Sequence, residues 1–287
     1  MRTLLTTTLA LGANCTRRKS ALLLVWACIG ICRFAAAQDA AQIDVNNLFP
    51  GVGALVIWVE PNDFGVPPGI LAALPGVLIN ERVFLTCGHC TRASEPGLPP
   101  FITPYVTFNL HVLDDRSSWI RVAAQAWHPS TLPCGPDNAC HWPDNFPGPG
   151  LSDVGLVLLS HPAESVKTAR LPQIGELSRD NQNDQPQFLV GYRQRDDVRT
   201  YRAVSPAEVF DDRWILGTAG ESCNTISGSI RFFGPIAESG EKRRTAIGTH
   251  SGFEGKNCAT GRSGFARLDN ADVLSWIDQQ ISQWLSH

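Results

Sequence analysis

The stretch GVLINERVFLTCGHC, from Gly76 to Cys90, admits two folds. Its last four residues, Cys-Gly-His-Cys, have the spacing of a redox-active dithiol, which normally opens a helix. The same letters also fit a strand that runs into a short turn carrying a catalytic histidine, His89. The residues that follow, TRASEPGLPP from Thr91 to Pro100, contain too much Pro and Gly for a long helix. No βαβ pattern surrounds the stretch, so the strand-and-turn interpretation is favoured.

The N-terminus has the layout of a secretory signal. A basic cluster, Arg17-Arg18-Lys19, precedes the apolar run from Ala21 to Cys32, and Ala35-Ala36-Ala37 offers a cleavage site. The run is shorter than the ~20 residues of a membrane-spanning helix. We therefore expect residues 1–37 to be a signal peptide, and the protein to be secreted or periplasmic/extracellular without stable membrane insertion. An uncleaved anchor is the alternative.

Cleavage would change the charge and the cysteine count. It would remove five of the 24 basic residues and none of the 27 acidic ones, so the net charge would fall from -3 to -8. Phosphate binding needs a basic face, so this charge argues against a nucleic acid partner. Three of the nine cysteines would also leave, and an even number in an exported chain suggests disulfides. Cys134 and Cys140 are close enough in sequence to close a small loop.

The rest of the chain predicts an all-β body with one helix at its end. Short β-rich runs alternate with Gly/Pro-rich turns. These runs are Val52–Val59, Val77–Ile79, Val106–Leu113, Ile120–Ala126, Val154–Leu159 and Leu189–Gly191. In the C-terminal stretch from Asn270, apolar residues recur every four positions from Val273 to Leu285, with Asn270 as the cap. This pattern is typical of a barrel or sandwich closed by an amphipathic helix.

Two segments resemble the trypsin-like serine protease family. GVLINERVFLTCGHC is similar to the strand pair that ends at that family's catalytic histidine, here His89. SDVGLVLLSHP, from Ser152 to Pro162, is similar to the segment that holds the orienting aspartate, here Asp153, before an apolar strand. Acyl transfer to a serine requires such a base, and the base requires a carboxylate that fixes its tautomer.

A third segment, CNTISGSI, resembles the nucleophile loop of the same family. It places Ser227 four residues after Cys223, although the family's usual Gly-Asp-Ser-Gly-Gly-Pro is eroded. The resemblance implies a disulfide between Cys223 and Cys258, which occupy the positions of the family's paired cysteines. Ser222 is a rival nucleophile because Gly-Glu-Ser copies Gly-Asp-Ser, but it lacks the preceding cysteine.

The resemblance implies the fold and the activity. It spans the chain from about Val52 to the C-terminus, in the order His, Asp, Ser. The expected fold is all-β: a protease domain over 38–287 with two six-stranded antiparallel barrels (about 45–165 and 175–268) and a C-terminal helix (about 270–285). The expected protein is a monomeric serine endopeptidase that acts on protein or peptide substrates without a cofactor or metal.

Two residues of the nucleophile loop depart from the family. The resemblance assigns the oxyanion hole to the N–H groups of Thr225 and Ser227, but Thr225 replaces a glycine there. Ile226 replaces the acid that normally precedes the nucleophile, and the mature chain lacks an obvious activation sequence. These departures keep a second interpretation open: a catalytically silent homologue that binds a protein partner.

The cysteine after the catalytic histidine also departs from the family. In the family it pairs with a cysteine on the preceding strand, where this chain has Leu74. Cys87 is the nearest substitute partner for Cys90.

The primary substrate pocket gives conflicting signals. The resemblance places Glu221 at the pocket floor, and Gly264 where a small residue keeps the pocket open; both favour substrates with Lys or Arg. His250, in GTHSG, resembles the pocket histidine of glutamyl endopeptidases and favours an acidic side chain. If both residues line one pocket, we expect Glu221 to be balanced by a protonated His250 or by a basic substrate; the alternative is that one of them points away. On that basis the preference for Lys or Arg should strengthen as His250 loses its proton at higher pH.

Overall fold

The computed structural model describes residues 41–92, 98–131, 151–178, 186–221, 226–234, 244–254 and 259–286. Several expectations lie outside these residues: the signal peptide over 1–37, two of the expected cysteine pairs (Cys134 with Cys140, Cys223 with Cys258), the oxyanion residue Thr225 and the rival Ser222. No helix among the described residues is long and apolar enough to cross a membrane.

The described residues form fourteen strands and two α-helices. The first strands are β1 (Gln42–Ile43), β2 (Val52–Val59), β3 (Gly69–Asn80), β4 (Val83–Thr86), β5 (Ile102–Thr107), β6 (Ile120–Trp127) and β7 (Gly155–Leu159), with α1 (Gly88–Arg92) after β4. The remaining elements are β8 (Gln187–Arg193), β9 (Val198–Val204), β10 (Glu208–Val209), β11 (Trp214–Ala219), β12 (Ile230–Phe233), β13 (Thr245–Phe253), β14 (Arg262–Arg267) and α2 (Ala271–Leu285). Single 3₁₀ turns lie at Arg116–Ser118 and Glu176–Ser178.

Strands β2 to β7 close a six-stranded barrel in the order β2-β3-β4-β7-β6-β5. Strand β2 is apolar at every position because both of its faces are buried. Leu55 and Ile57 pack inside the barrel, whereas Ala54 and Val56 pack in the main core of the molecule. This alternation follows from the period of two in a strand. The barrel therefore presents an apolar outer face to the rest of the fold.

The second half forms an eight-stranded sheet in the order β1-β9-β8-β12-β13-β14-β11-β10. We expected a six-stranded barrel here; among the described residues the strands instead form a sheet with two edges, which the two-residue strands β1 and β10 occupy. The expectation for the run from Val106 to Leu113 also needs correction, because β5 begins at Ile102 and ends at Thr107. The all-β architecture itself is confirmed.

Helix α2 ends the fold, as its pattern predicts. The side chain of Asn270 caps it by accepting hydrogen bonds from the N–H groups of Asp272 (2.8 Å) and Val273 (3.3 Å). Val273 and Ile277 are fully buried in the main core. Burying two such side chains stabilises the helix by about 1.5–3 kcal/mol each.

The segment before β2 is tied to the second sheet. Strand β1 pairs with β9, and the buried carboxylate of Asp44 accepts a hydrogen bond from Nε of the buried Arg199 at 3.0 Å. Arg199 also donates to the carbonyl oxygens of Val52 and Phe108, both at 3.0 Å. One arginine on the second sheet thus holds both the segment before β2 and the first barrel.

Candidate active site

Strand pairing brings His89 and Asp153 together. Strands β4 and β7 are antiparallel neighbours, and Thr86 lies opposite Gly155. His89 comes three residues after Thr86, in α1, and Asp153 comes two residues before Gly155. Gly88 allows the close approach, because a Cβ added there would lie 3.0 Å from Oδ1 of Asp153. The register of one strand pair therefore sets the distance between His89 and Asp153.

Both carboxylate oxygens of Asp153 accept hydrogen bonds from His89. Nδ1 of His89 donates to Oδ2 at 2.6 Å, and the backbone N–H of His89 donates to Oδ1 at 2.8 Å. The hydroxyl of Ser251 donates a further hydrogen bond to Oδ2. Asp153 is fully buried, whereas the side chain of His89 is 17% exposed. This arrangement orients the imidazole and fixes the tautomer with the proton on Nδ1.

The charges of the two residues are coupled. Burial lowers the pKa of His89, but attraction to Asp153 and the hydrogen bond to it outweigh burial and raise that pKa above its ordinary value. Burial raises the pKa of Asp153, but His89 and Ser251 together hold it below its ordinary value. Asp153 is therefore ionised near neutral pH and stabilises the protonated imidazole that a general base becomes.

Ser227 lies in a tight turn that packs against the end of β4. The N–H of Ser229 donates to the carbonyl of Ile226 at 3.0 Å and closes this turn. Gly228 has a φ of +90°, which favours glycine. A Cβ added at Gly228 would lie 2.6 Å from Oγ1 of Thr86, three residues before His89. The turn of Ser227 therefore packs against the strand that leads to His89.

One dipeptide of β13 contacts both parts of the site. The carbonyl of His250 accepts a hydrogen bond from the N–H of Gly228 at 2.8 Å. The next residue, Ser251, bonds to Asp153. Consecutive residues of one strand thus fix the turn of Ser227 and the carboxylate of Asp153 relative to each other. The sequence-predicted residues His89, Asp153 and Ser227 belong to one region of the fold.

Ser251 is the residue of this region that sequence reasoning missed. It stands beside His250 in GTHSG, a segment considered only for its histidine. The signal available in the sequence was the alternation of a strand. Neighbouring residues of a strand face opposite sides, so Ser251 had to face the side opposite to His250.

The expected pairing of Glu221 is wrong. Nη1 of Arg231 donates to Oε1 of Glu221 at 2.5 Å, and both side chains are buried. The N–H of Thr218 donates to Oε2 at 2.9 Å, and Nε of Arg231 donates to the side chain of Gln187 at 2.6 Å. An arginine of the chain itself balances the carboxylate, so neither His250 nor a basic substrate is needed for that purpose.

The expected protonation of His250 is also wrong. Burial, followed by repulsion from His89, lowers the pKa of His250 to about 3. Its ring packs edge-on against Phe265 in β14, with the ring centres 5.3 Å apart. His250 is therefore neutral near neutral pH. Gly264 lies opposite Leu216 of β11 and Gly252 of β13, so three neighbouring strands meet at its position.

Cys87 and Cys90 flank His89 as a close pair. Their Cα atoms are 5.1 Å apart, a separation that a disulfide allows. Sγ of Cys87 lies 3.5 Å from Nε2 of His89, and Sγ of Cys90 lies 4.0 Å from it. The two sulfurs are thus neighbours of the nitrogen that the base would use.

Comparisons with known proteins identify the fold. No protein-family model and no curated protein sequence matches the chain. Among solved structures, HL collagenase is 19% identical, with a TM-score of 0.56 over 84% of this chain and 97% of its own. The VesB protease of Vibrio cholerae is 15% identical, with a TM-score of 0.57 over 85% of this chain and 68% of its own. Both are chymotrypsin-fold serine proteases, and a barrel, a second sheet and a C-terminal helix in this arrangement give the present chain the chymotrypsin-like fold.

Proposed function

We propose that this protein is a secreted serine endopeptidase that hydrolyses peptide bonds with His89, Asp153 and Ser227. Oγ of Ser227 attacks the peptide carbonyl while Nε2 of His89 takes its proton and then passes it to the leaving amine. Asp153 holds the Nδ1–H of His89 and stabilises the imidazolium. The N–H groups of Thr225 and Ser227 bind the oxyanion. A water molecule, activated by the same histidine, then releases the acyl group.

The observation that carries this proposal is the buried contact between Asp153 and His89, which strand β13 joins to the turn of Ser227 through Ser251 and His250. A buried carboxylate that accepts two hydrogen bonds from one histidine is expensive in a fold that makes no use of the imidazole. The same strand anchors the glycine that follows Ser227. Export, signal cleavage and disulfide formation are part of the proposal, supported by the N-terminal pattern and by the close pair Cys87 and Cys90.

The direct test is covalent labelling by a fluorophosphonate, which reacts only with an activated serine. The mature protein is expected to be labelled on Ser227, and Ser227→Ala should abolish labelling. Ser229→Ala, two residues away in the same turn, is the matched control and should keep most of the label. Removing the base with His89→Ala should slow labelling by about 10²–10⁴-fold.

Two results would contradict the proposal. A label on Ser222 would show that the nucleophile is assigned to the wrong position. The absence of any label between about pH 6 and pH 9, in a folded protein, would favour the second candidate.

The second candidate is a catalytically silent protease homologue that binds a protein partner. Ile226 supports it, because this residue replaces the acid that normally precedes the nucleophile. Thr225 supports it as well, since a β-branched residue tolerates unusual backbone angles poorly. Loss of one oxyanion donor typically costs about 10²–10³ in turnover, so slow labelling with intact folding would place the protein between the two candidates.

A further inference from the structure

The turn that begins at His128 and ends at Thr131, here called the β6 turn, lies alongside the segment of Asp153. The N–H of His128 donates to the carbonyl of Val154 at 2.9 Å. The hydroxyl of Thr131 donates to the carbonyl of Ser152, also at 2.9 Å. Both chain neighbours of Asp153 are therefore hydrogen-bonded to this turn.

The β6 turn also contacts the helix that carries His89. A Cβ added at Gly88 would lie 2.4 Å from Oγ1 of Thr131 and 3.0 Å from Oδ1 of Asp153. Gly88 directly precedes His89 in α1. The turn, the carboxylate and the helix thus meet at one glycine. A change in the conformation of the turn would reach both partners of the contact between His89 and Asp153.

The imidazole of His128 closes the β6 turn. Its Nδ1 accepts hydrogen bonds from the hydroxyl of Ser130 at 2.8 Å and from the N–H of Ser130 at 3.3 Å. Because a backbone N–H can only donate, Nδ1 carries the lone pair and the ring proton lies on Nε2, 3.5 Å from Asp272. A side-chain acceptor that binds the N–H two residues further on makes the same contact as in an Asx turn.

The surroundings of His128 keep its ring neutral. The side chain is buried and packs edge-on against Trp276 of α2, with the ring centres 5.3 Å apart. Burial lowers the pKa of His128, against the attraction of Asp272 and together with the repulsion of Arg213. The turn needs the neutral ring, because a proton on Nδ1 would remove the acceptor for Ser130.

We propose that His128 is a positioning residue for Asp153: by closing the β6 turn, its imidazole sets the place at which the carboxylate meets His89. The consequence for turnover rests on the proposed function, whereas the consequence for the contact between Asp153 and His89 does not. Small displacements matter here, because misplacing a catalytic group by about 1 Å can cost about 10²-fold in rate.

The first experiment compares two substitutions at one position. His128→Leu removes the acceptor, whereas His128→Asn keeps one, because an asparagine side chain readily forms this type of turn. With a peptide that the wild type cleaves, we expect His128→Leu to lower kcat about tenfold with little change in KM, and His128→Asn to stay within about threefold. His161→Leu, at an exposed histidine, is the matched control and should leave both constants unchanged.

A second experiment separates positioning from a general loss of stability. Contact with Asp153 raises the pKa of His89, so a displaced carboxylate should lower the pH midpoint at which His89 titrates. NMR titration of the His89 ring measures this midpoint without any substrate. We expect a lower midpoint in folded His128→Leu and a midpoint near that of the wild type in His128→Asn.

Two results would overturn the proposal: an unchanged His89 midpoint in folded His128→Leu, or equal losses of kcat in the Leu and Asn variants. If His128→Leu does not fold, Ser130→Ala takes its place, because it removes the hydroxyl that bonds to Nδ1. The same downward shift is expected there, and its absence would count equally against the proposal. A wild-type protein that never reacts with the fluorophosphonate contradicts the proposed function, while the NMR titration still decides on His128.

Discussion

At the scale of single residues, His250 bears on how substrate preference depends on pH. Its pKa of about 3 keeps the imidazole neutral between about pH 6 and pH 8, and Arg231 already balances the charge of Glu221. We therefore expect the residue preference at the cleavage site to be the same at about pH 6 and pH 8. Profiling of a peptide library at both values measures this. A preference that changes with an apparent pKa between them would show that one of these groups titrates in the pocket.

The pH dependence of catalysis should instead follow His89. Only the neutral imidazole can accept the proton of Ser227, so kcat/KM should rise with pH. Because contact with Asp153 raises the pKa of His89 above 6.5, the midpoint of the rise should lie above that value. Asp153→Asn should remove this raising effect and lower the midpoint in whatever activity remains. A wild-type midpoint below 6.5 would contradict the coupling.

Ser251 should matter for turnover rather than for substrate binding. Its hydroxyl holds the buried carboxylate of Asp153, and a hydrogen bond to a charged group contributes about 1.5–3 kcal/mol. Ser251→Ala is thus expected to lower kcat by about 10–100-fold with little change in KM. Ser251→Thr, which keeps the hydroxyl, is the matched control. An equal loss in both variants would point to packing instead of the hydrogen bond.

Local sequence patterns were sufficient for some of these residues and not for others. His89 and Asp153 stand beside apolar strands whose pattern is visible in the sequence, and Asn270 caps a helix with a clear period. Arg231 was missed because its partner Glu221 is brought to it by the pairing of whole strands. Nothing near either residue in the sequence signals that contact.

At the scale of elements, Arg213, directly before β11, supports the segment that holds Asp153. Nη1 of Arg213 donates to the hydroxyl of the buried Ser152 at 2.8 Å, directly before Asp153, and Nη2 bonds to Asp272 of α2 at 3.2 Å. Arg213→Ala should lower kcat by about tenfold, because one hydrogen bond of about 1–1.5 kcal/mol no longer positions the loop. Asp272→Ala removes the ion pairs of an exposed carboxylate with Arg213 and with Nε2 of His128 (3.5 Å) but leaves the bond to Ser152, so the loss should stay within about twofold. Steady-state kinetics on both variants decides this, and equal losses would refute the role of Ser152.

Strand limits show where sequence patterns fail at this scale. Only Val77–Ile79 was expected in the region where β3 spans Gly69–Asn80. Pro75, Gly76 and several small residues obscure the pattern of its first half. Pairing with β2 along most of its length holds this part of β3 in the strand conformation, which the local sequence alone does not specify.

At the scale of the whole molecule, Asp44 and Arg199 hold the segment before β2 against the second sheet. Both side chains are buried, so removal of one partner leaves a charge without its counterion. Asp44→Ala is expected to lower the free energy of unfolding by about 3–5 kcal/mol. Gln42→Ala, which loses only the exposed hydrogen bond to Tyr201, should cost less than about 1 kcal/mol. Denaturant unfolding of the two variants tests the difference, and similar costs would contradict it.

The ion pair between Asp44 and Arg199 also fixes the order in which parts of the chain can fold during synthesis. Strands β2 to β7 lie within residues 52–159 and can close their barrel as soon as they have emerged. Asp44 must wait for an arginine that is 155 residues further along the chain. At about 5–20 residues per second, the leading segment stays undocked for roughly 10–30 s. During that interval the segment remains accessible to processing enzymes and chaperones. It becomes inaccessible to them when it docks, once Arg199 is part of the folded sheet.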